Sequence, residues 1–225
     1  MQKRINTSII ITTLCLFIVI GFFEVTSFDL VIQEYFFEFS TGSWILNSNE
    51  PIAKFIFYDG IKKIIILFSL IVLVSLIFFR KKEIVKKYKQ GLIIVLLSLI
   101  IIPLCIGSLK AVTNTPCPKN IEYFGGNYPN IQLFDTYPQD FIQESNVKCW
   151  PAGHASGGFA LMSLFFLFRK RKNRIVAVVV TASIGWAMGL YKMLIGDHFL
   201  SHTIITMLIA WLIILMIVKI VHYKE

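Results

Sequence analysis

Long apolar blocks, separated by short polar connections, restrict the fold of this chain more than any other feature. A bilayer core about 30 Å thick requires about 20 apolar residues per helix, and a helix satisfies its backbone hydrogen bonds within its own segment. Hydrophobic residues make up 56% of the 225 residues, well above the share in an ordinary soluble domain. The pattern therefore predicts an all-α, multi-pass membrane protein.

Six blocks have the composition of transmembrane helices. They are predicted at 8–27, 64–79 (lengthened by its neighbours), 91–109, 153–168, 175–195 and 202–221. Residues 28–60 are mixed, and the amphipathic stretch 28–39 is expected either to lie in the membrane interface or to pack on the bundle as a short helix. Because no Gly-, Ser- or Pro-rich linker divides the chain, residues 1–225 are predicted to form a single membrane domain.

The distribution of positive charge predicts the orientation. Lysine and arginine concentrate in two connections, 80–89 and 169–174, and near both ends of the chain. Such residues stay on the cytoplasmic side, so the loop 110–152 and the connection 194–201 are predicted to face the periplasm of a bacterial inner membrane. The formal net charge of +9 does not indicate nucleic-acid binding, because aromatic residues do not alternate with the basic ones.

Ionisable residues gather at the outward ends of the predicted helices. Lys110 follows the third helix and His154 begins the fourth, while Lys192 and His198 lie at the end of the fifth. Charged groups at membrane depth are costly and are commonly functional, although a single lysine near a helix end also reaches the interface by extending its side chain. Lysines neutralise phosphate oxygens, one imidazole can attack phosphorus and another can protonate the leaving oxygen. The pattern favours phosphoryl chemistry.

Three motifs in this part of the chain resemble the signature of the type 2 phosphatidic acid phosphatase superfamily. The family pattern Lys-x6-Arg-Pro corresponds to Lys110 followed, after six residues, by Cys117 and Pro118. The pattern Pro-Ser-Gly-His corresponds to the sequence Pro-Ala-Gly-His at 151–154. The pattern Ser-Arg-x5-His-x3-Asp corresponds to Tyr-Lys, five residues, His198, three residues and His202. The resemblance implies a helical bundle with a phosphatase-like core at about 91–221, and the motifs are similar to those of bacterial lipid A phosphatases and phosphotransferases.

The resemblance implies a role for each matched residue. His198 would be the nucleophile that forms a phosphohistidine, and His154 would be the general acid that protonates the leaving group. His202 occupies the position of the aspartate that orients the nucleophile, with the neighbouring Asp197 as an alternative. The phosphate-binding groups that the resemblance implies are Lys110, Lys192 and the backbone N–H of Gly153. It implies no metal and no cofactor.

Four positions depart from the family pattern. Cys117 replaces an arginine, so one bidentate phosphate clamp is missing, and Lys119 or Lys148 could supply the charge from outside the motif. Two further changes, Ala152 for serine and Lys192 for arginine, remove a hydroxyl and a planar fork. The fourth is the exchange of the aspartate for His202, a weaker orienting group.

Two cysteines of the outward loop, Cys117 and Cys149, lie 32 positions apart. An oxidising compartment would allow them to form a disulfide, which we expect here. Free thiols and metal ligands are the alternatives.

These observations predict a lipid phosphatase, a hydrolase whose partners are a lipid-phosphate substrate and the surrounding membrane lipids. The sequence does not choose among lipid A, undecaprenyl diphosphate, phosphatidylglycerol phosphate and phosphatidic acid, and it leaves the oligomeric state open. A phosphotransferase that passes the phosphate to a second lipid fits the same residues. A metal site built on His198 and His202, spaced i and i+4 on a helix, and a non-catalytic protein with a decayed signature are two further alternatives.

Overall fold

The computed structural model describes residues 2–143 and 145–223, and its regular structure is nearly all helical. The α-helices are α1 (Gln2–Val25), α2 (Phe28–Glu34), α3 (Pro51–Lys54), α4 (Ile61–Phe78), α5 (Glu83–Val112), α6 (Gly153–Ala160), α7 (Arg171–Leu194) and α8 (Leu200–Tyr223). A π-helical turn, Phe55–Gly60, joins α3 to α4, and a 3-10 helix, Leu161–Phe166, follows α6. Two short strands, β1 (Phe37–Glu38) and β2 (Ser43–Trp44), and two 3-10 turns, Pro118–Asn120 and Glu122–Phe124, complete the structure.

Five helical segments of the described part of the chain are long and apolar enough to cross a membrane. They are Gln2–Val25, Pro51–Phe78, Glu83–Val112, Arg171–Leu194 and Leu200–Val221. They coincide with the predicted helices at 8–27, 64–79, 91–109, 175–195 and 202–221. The chain therefore has the architecture of a multi-pass membrane protein.

The fourth predicted helix, 153–168, differs from the expectation. It consists of α6, with eight residues, and a six-residue 3-10 helix, which together extend about 24 Å at the usual rise per residue. Glycine lowers helix propensity, and α6 contains three glycines within its eight residues. The segment is thus shorter than a bilayer core, and a count of six membrane-spanning helices is not confirmed.

The first polar segment also differs from the expectation. Only α2 is helical within the amphipathic stretch 28–39, and the chain then turns into a hairpin in which Phe37 pairs with Trp44. The rings of Phe37 and Trp44 lie 4.9 Å apart between centroids, and Phe37 lies 5.3 Å from Phe124 of the long loop. This aromatic cluster fixes the hairpin to the loop, because ring pairs at such distances add to the burial of apolar area.

The core lies between α5, α6, α7 and α8. Ile102 and Ile106 of α5 pack with Phe159 of α6 and Ile214 of α8, and all four side chains are fully buried. The backbones of α6 and α7 approach so closely that a Cβ atom added at Gly158 would lie 2.6 Å from the Cα atom of Gly185. Small residues permit this approach between membrane helices. The contact holds the first turn of α6 beside the end of α7, where the polar residues lie.

Candidate active site

The polar residues of the three motifs meet at one end of the bundle. Lys110 lies in the last turn of α5, His154 in the first turn of α6, and His198 in the connection between α7 and α8. The rings of His154 and His198 are 6.4 Å apart between centroids. A Cβ atom added at Gly153 would lie 3.9 Å from Nζ of Lys110, so this lysine reaches the start of α6. The structure therefore brings together residues from three separate sequence motifs.

His198 and His202 face each other through equivalent atoms. Nδ1 of His202 lies 3.4 Å from Nδ1 of His198, and each residue is only 2% exposed. Burial, together with His202 and the nearby lysines, holds the pKa of His198 well below its ordinary value. The imidazole of His198 is therefore neutral near pH 7 and retains a lone pair on one ring nitrogen.

The first turn of α8 is joined to the start of α6 by backbone contacts. The hydroxyl of Thr206 donates to the carbonyl of His202 at 2.7 Å and accepts from the N–H of Ala152 at 2.9 Å. The ring of His202 also lies near the backbone of Cys149. The bonds of Thr206 fix the position of His202 relative to the motif at 151–154.

His154 has one described partner for its ring. Its Nε2 atom lies 2.9 Å from the hydroxyl oxygen of Tyr58, which belongs to the π-helical turn before α4. Its Nδ1 atom is buried and has no hydrogen-bond partner among the described residues. Sequence reasoning missed Tyr58, because this residue lies 96 positions away and in none of the three motifs.

Asp197 pairs with two lysines. One carboxylate oxygen lies 2.7 Å from Nζ of Lys119, and the other lies 2.7 Å from Nζ of Lys192. Burial raises the pKa of Asp197, but the hydrogen bonds and charges of the two lysines lower it further, so the carboxyl remains ionised. Among the described contacts Asp197 bonds to these two lysines and not to the ring of His198, so its role as an orienting group stays a hypothesis. Lys119, two positions after the missing arginine, reaches the site through this carboxylate.

A disulfide joins Cys117 and Cys149, with 5.2 Å between their Cα atoms. The backbone N–H of Cys149 also donates to the carbonyl of Thr115 at 3.2 Å. Cys149 is thereby connected to the segment that follows α5. The disulfide therefore lies close to His202, whose ring is near the Cys149 backbone.

The first ninety residues also contribute to the site. The amide of Gln33 donates from Nε2 to the carbonyl of Met193 at the end of α7, at 2.8 Å, and the side chain is fully buried. Asp29 accepts from the N–H of Ser201 at 2.9 Å and thereby caps α8, and burial raises the pKa of this carboxyl to about 6. The sequence signal for these contacts was the presence of polar residues among the apolar ones of the short amphipathic stretch 28–39.

The residues described do not form a metal centre. No group of three or more His, Cys, Asp or Glu side chains within 2–143 and 145–223 is arranged to hold an ion. His198 and His202 direct Nδ1 atoms at each other, and the adjacent cations are lysines, which repel a metal ion. The arrangement suits an anion.

A comparison with protein-family models agrees with this chemistry. Residues 91–225 match the model described as the PAP2 superfamily, which covers most of α5 and all three motifs. Searches of curated proteins and of solved structures gave no match. Members of the matched family are typically phosphatases, and the match extends over more than half of the 225 residues. The chain therefore belongs to the PAP2 superfamily of phosphatase-type proteins.

Proposed function

We propose that the protein is a membrane phosphatase that removes phosphate from a lipid through a phosphohistidine intermediate. The observation that carries this proposal is the pair of imidazoles, His154 and His198, with ring centroids 6.4 Å apart beside the lysine side chains. A phosphoryl group between the two rings would meet a nucleophile on one side and an acid on the other. Lys110 and Lys192, with the N–H of Gly153, would neutralise its oxygens.

The tautomer of His198 follows from its partner. If His202 donates one ring N–H to the Cys149 backbone, its Nδ1 atom accepts from the Nδ1–H of His198. Nε2 of His198 then holds the free lone pair and attacks phosphorus, forming a P–N bond as the P–O bond to the lipid breaks. His154 enters this step as the imidazolium: burial and the charges of Lys192 and Lys110 lower its pKa to about 4, and the negative charge of a bound phosphate would raise that pKa. The imidazolium gives its proton to the leaving oxygen, and the neutral ring then removes a proton from the water that hydrolyses the P–N bond. Free phosphate and neutral His198 result.

The surroundings of His154 support a lipid as the leaving group. A groove of about 480 Å³ runs between α4 and α5 and has Lys62, Lys110 and His154 at its polar end. Its other walls are mainly apolar and include Ile65, Ile66, Leu99, Pro103 and Met188. His154 lines this groove and His198 does not, so the groove opens on the proposed acid and not on the proposed nucleophile. In an in-line displacement the leaving group departs on the side opposite the nucleophile, so the groove suits its hydrocarbon chain.

The positions of the basic turns and the disulfide support the proposed orientation. Arg169 donates to the carbonyl of Lys87 at 3.1 Å, so the two basic connections lie together at one end of the bundle. Basic connections stay in the cytoplasm and disulfides persist in oxidising compartments. We therefore place the protein in a bacterial inner membrane, with the disulfide of Cys117 and Cys149 and the phosphate site on the periplasmic face.

The test is phosphate release by the purified protein in detergent. The panel contains the lipids that the motifs leave open: lipid A, undecaprenyl diphosphate, phosphatidylglycerol phosphate and phosphatidic acid. Similarity to the bacterial lipid A subgroup makes lipid A the first substrate to test. The matched control is His198→Ala, which removes the nucleophile. Release by the wild-type protein that is lost in the control supports the proposal, and no release from any lipid contradicts it.

A second arm separates hydrolysis from phosphotransfer. Each donor lipid is incubated with and without an acceptor lipid, and the phosphorylated products are identified by mass spectrometry. Hydrolysis gives inorganic phosphate in both cases. Transfer gives a newly phosphorylated acceptor. That result would contradict the phosphatase proposal and indicate a phosphotransferase that uses the same intermediate.

A further inference from the structure

Tyr58 lies beside the acid although it precedes the part of the chain that matches the family. Its hydroxyl oxygen is 2.9 Å from Nε2 of His154, and the two rings are 4.5 Å apart between centroids in an edge-on arrangement. Nζ of Lys192 lies over the tyrosine ring, 4.9 Å from its centroid. One side chain therefore contacts both the proposed acid and a proposed phosphate ligand.

The backbone around Tyr58 is unusual. Residues Phe55–Gly60 form a π-helical turn between two α-helical segments. Such turns occur often at functional sites, because the extra residue per turn directs a side chain away from its regular position. Here the turn lies where the helix formed by α3 and α4 passes the first turn of α6. The Tyr58 side chain reaches His154 from this turn.

The hydrogen bond with Tyr58 orients the ring of His154. The Nδ1 atom of this residue has no partner among the described residues, so the hydrogen bond with Tyr58 is the described contact that orients the ring. A tyrosine hydroxyl both donates and accepts. It can accept from the Nε2–H of the protonated imidazole and, once Nδ1 has given up its proton, from the Nε2–H of the neutral ring. The same contact can thus hold Nε2 in place before and after the proton is transferred from Nδ1.

We propose that Tyr58 is a positioning residue for the general acid: it holds Nε2 of His154, which leaves the unpartnered Nδ1 to protonate the leaving oxygen, while its ring holds Lys192 near the phosphate. This inference rests on the proposed phosphatase function. It predicts two separable effects. Tyr58→Phe removes the hydroxyl and keeps the ring, so it affects acid catalysis alone. Tyr58→Ala removes both, so it also weakens phosphate binding.

The experiment compares two substrates that carry the same hydrocarbon chain. One is an alkyl phosphate, whose alkoxide must be protonated as it leaves, and the other is a nitrophenyl phosphate, whose leaving group needs no proton. We expect Tyr58→Phe to lower kcat for the alkyl ester by about 10- to 100-fold, which is part of the about 10²- to 10⁴-fold that general acid catalysis supplies. Turnover of the nitrophenyl ester should remain near the wild-type value. Tyr58→Ala should lower turnover of both esters.

Tyr191→Phe is the matched control, because the ring of Tyr191 also lies near Lys192, at 5.7 Å, and the hydroxyl is likewise removed. It should retain wild-type turnover of both esters. Equal losses for the two esters in Tyr58→Phe would overturn the proposal by indicating a structural role. Unchanged turnover of the alkyl ester in Tyr58→Phe would also overturn it and leave the phosphatase function intact.

A spectroscopic arm separates the two hypotheses if the wild-type protein releases no phosphate. Nitrogen NMR of protein with labelled histidine reports the protonation of each ring nitrogen. We expect the Nε2 signal of His154 to shift in Tyr58→Phe and to stay unchanged in Tyr191→Phe. A wild-type protein without phosphatase activity would overturn the proposed function. An unshifted His154 signal would overturn the role of Tyr58 itself.

Discussion

Nδ1 of His202 lies 3.4 Å from Nδ1 of His198, at the position where the family pattern has an aspartate. An aspartate accepts a hydrogen bond from the nucleophile and also offsets the positive charge that develops on it. A neutral histidine does only the first, because it carries no negative charge. The pair therefore fixes the tautomer of His198 without the electrostatic support of a carboxylate.

Substitution of His202 tests this relationship. His202→Ala leaves Nδ1 of His198 without its partner, so kcat should fall by about 10- to 10⁴-fold, because loss of the group that orients a catalytic histidine can cost about 10⁴-fold. His202→Asp introduces the residue of the family pattern and should retain most of the activity. Both variants are compared with the wild-type protein by phosphate release, after thermal unfolding has shown that they fold. Full activity in His202→Ala would contradict the positioning role.

The pH dependence of turnover follows from the lowered pKa of His198. An ordinary histidine loses its lone pair by protonation below about pH 6.5. Because burial and the neighbouring positive groups lower the pKa of His198, its neutral form persists to more acidic pH. We expect the acid limb of the kcat/KM profile to lie below about pH 6.5. An acid limb at or above that value would be inconsistent with a neutral, buried nucleophile.

The same shift affects folding. In the unfolded chain His198 binds a proton as the pH falls through about 6.5, whereas in the folded protein it remains neutral to lower pH. The unfolded state then holds more protons, so the free energy of unfolding decreases as the pH falls below about 6.5. His198→Gln removes the part of this pH dependence that is due to His198. Its thermal midpoint should decline less than that of the wild-type protein between about pH 7 and about pH 5.

Loss of the disulfide should destabilise the protein. The bond between Cys117 and Cys149 closes a loop with a sequence separation of 32. In the chain-entropy model a loop of this length contributes about 3 to 4 kcal/mol to the free energy of unfolding. Thermal unfolding in detergent, with and without reductant, measures the effect. The double variant Cys117→Ser/Cys149→Ser is the control, and it should unfold at the lower temperature under both conditions. Two free thiols in the non-reduced protein, detected by mass spectrometry, would refute the prediction.

Gly196 is expected to tolerate no side chain. Its φ angle is +73°, and an added Cβ atom would lie 2.3 Å from Cε2 of Trp44. Gly42 is a matched control, because its φ is +63° and an added Cβ atom there meets nothing within 4 Å. Gly42→Ala should cost about 1 to 2 kcal/mol of stability from the backbone alone. Gly196→Ala should cost more and should also lower phosphate release, because Asp197 and His198 follow it directly.

The informative quantity is the difference in the free energy of unfolding between Gly196→Ala and Gly42→Ala, and not the destabilisation by either variant alone. A side chain at Gly196 that displaces the Trp44 ring would move the hairpin away from the α7–α8 connection. Equal destabilisation by the two substitutions would show that Trp44 moves aside without cost. The contact would then have no role in holding the site.

The sequence predicted those features that depend on local composition. Five of the predicted helices are present because an apolar run long enough to cross a bilayer carries its own signal. The fourth segment, 153–168, escaped the prediction because apolar content does not distinguish an α-helix from a 3-10 helix. The prediction of a helix over the amphipathic stretch 28–39 was wrong beyond Glu34, because aromatic residues suit a strand as well as a helix.

In the candidate site, too, features set by motif spacing were predictable and contacts between distant parts of the chain were not. The motif spacings led to His154, His198 and Lys110, and the structure brings these residues together. The contact between Tyr58 and His154 was not predictable, because it joins residues 96 positions apart. The pairing of Asp197 with two lysines depends on how the α7–α8 connection folds, which periodicity does not describe.

The hydrogen bond from Gln33 to the carbonyl of Met193 limits how this protein can be truncated or recombined with a relative. It joins two residues 160 positions apart, one before and one within the segment that matches the family. A chain beginning at residue 91 would lose this buried bond and leave the last turn of α7 without its partner. Because the acceptor is a backbone carbonyl, the contact depends on the amide at position 33 and not on the side chain at position 193. A chimera that combines the motif-bearing segment with the amino-terminal region of a relative would need a matching amide at the junction.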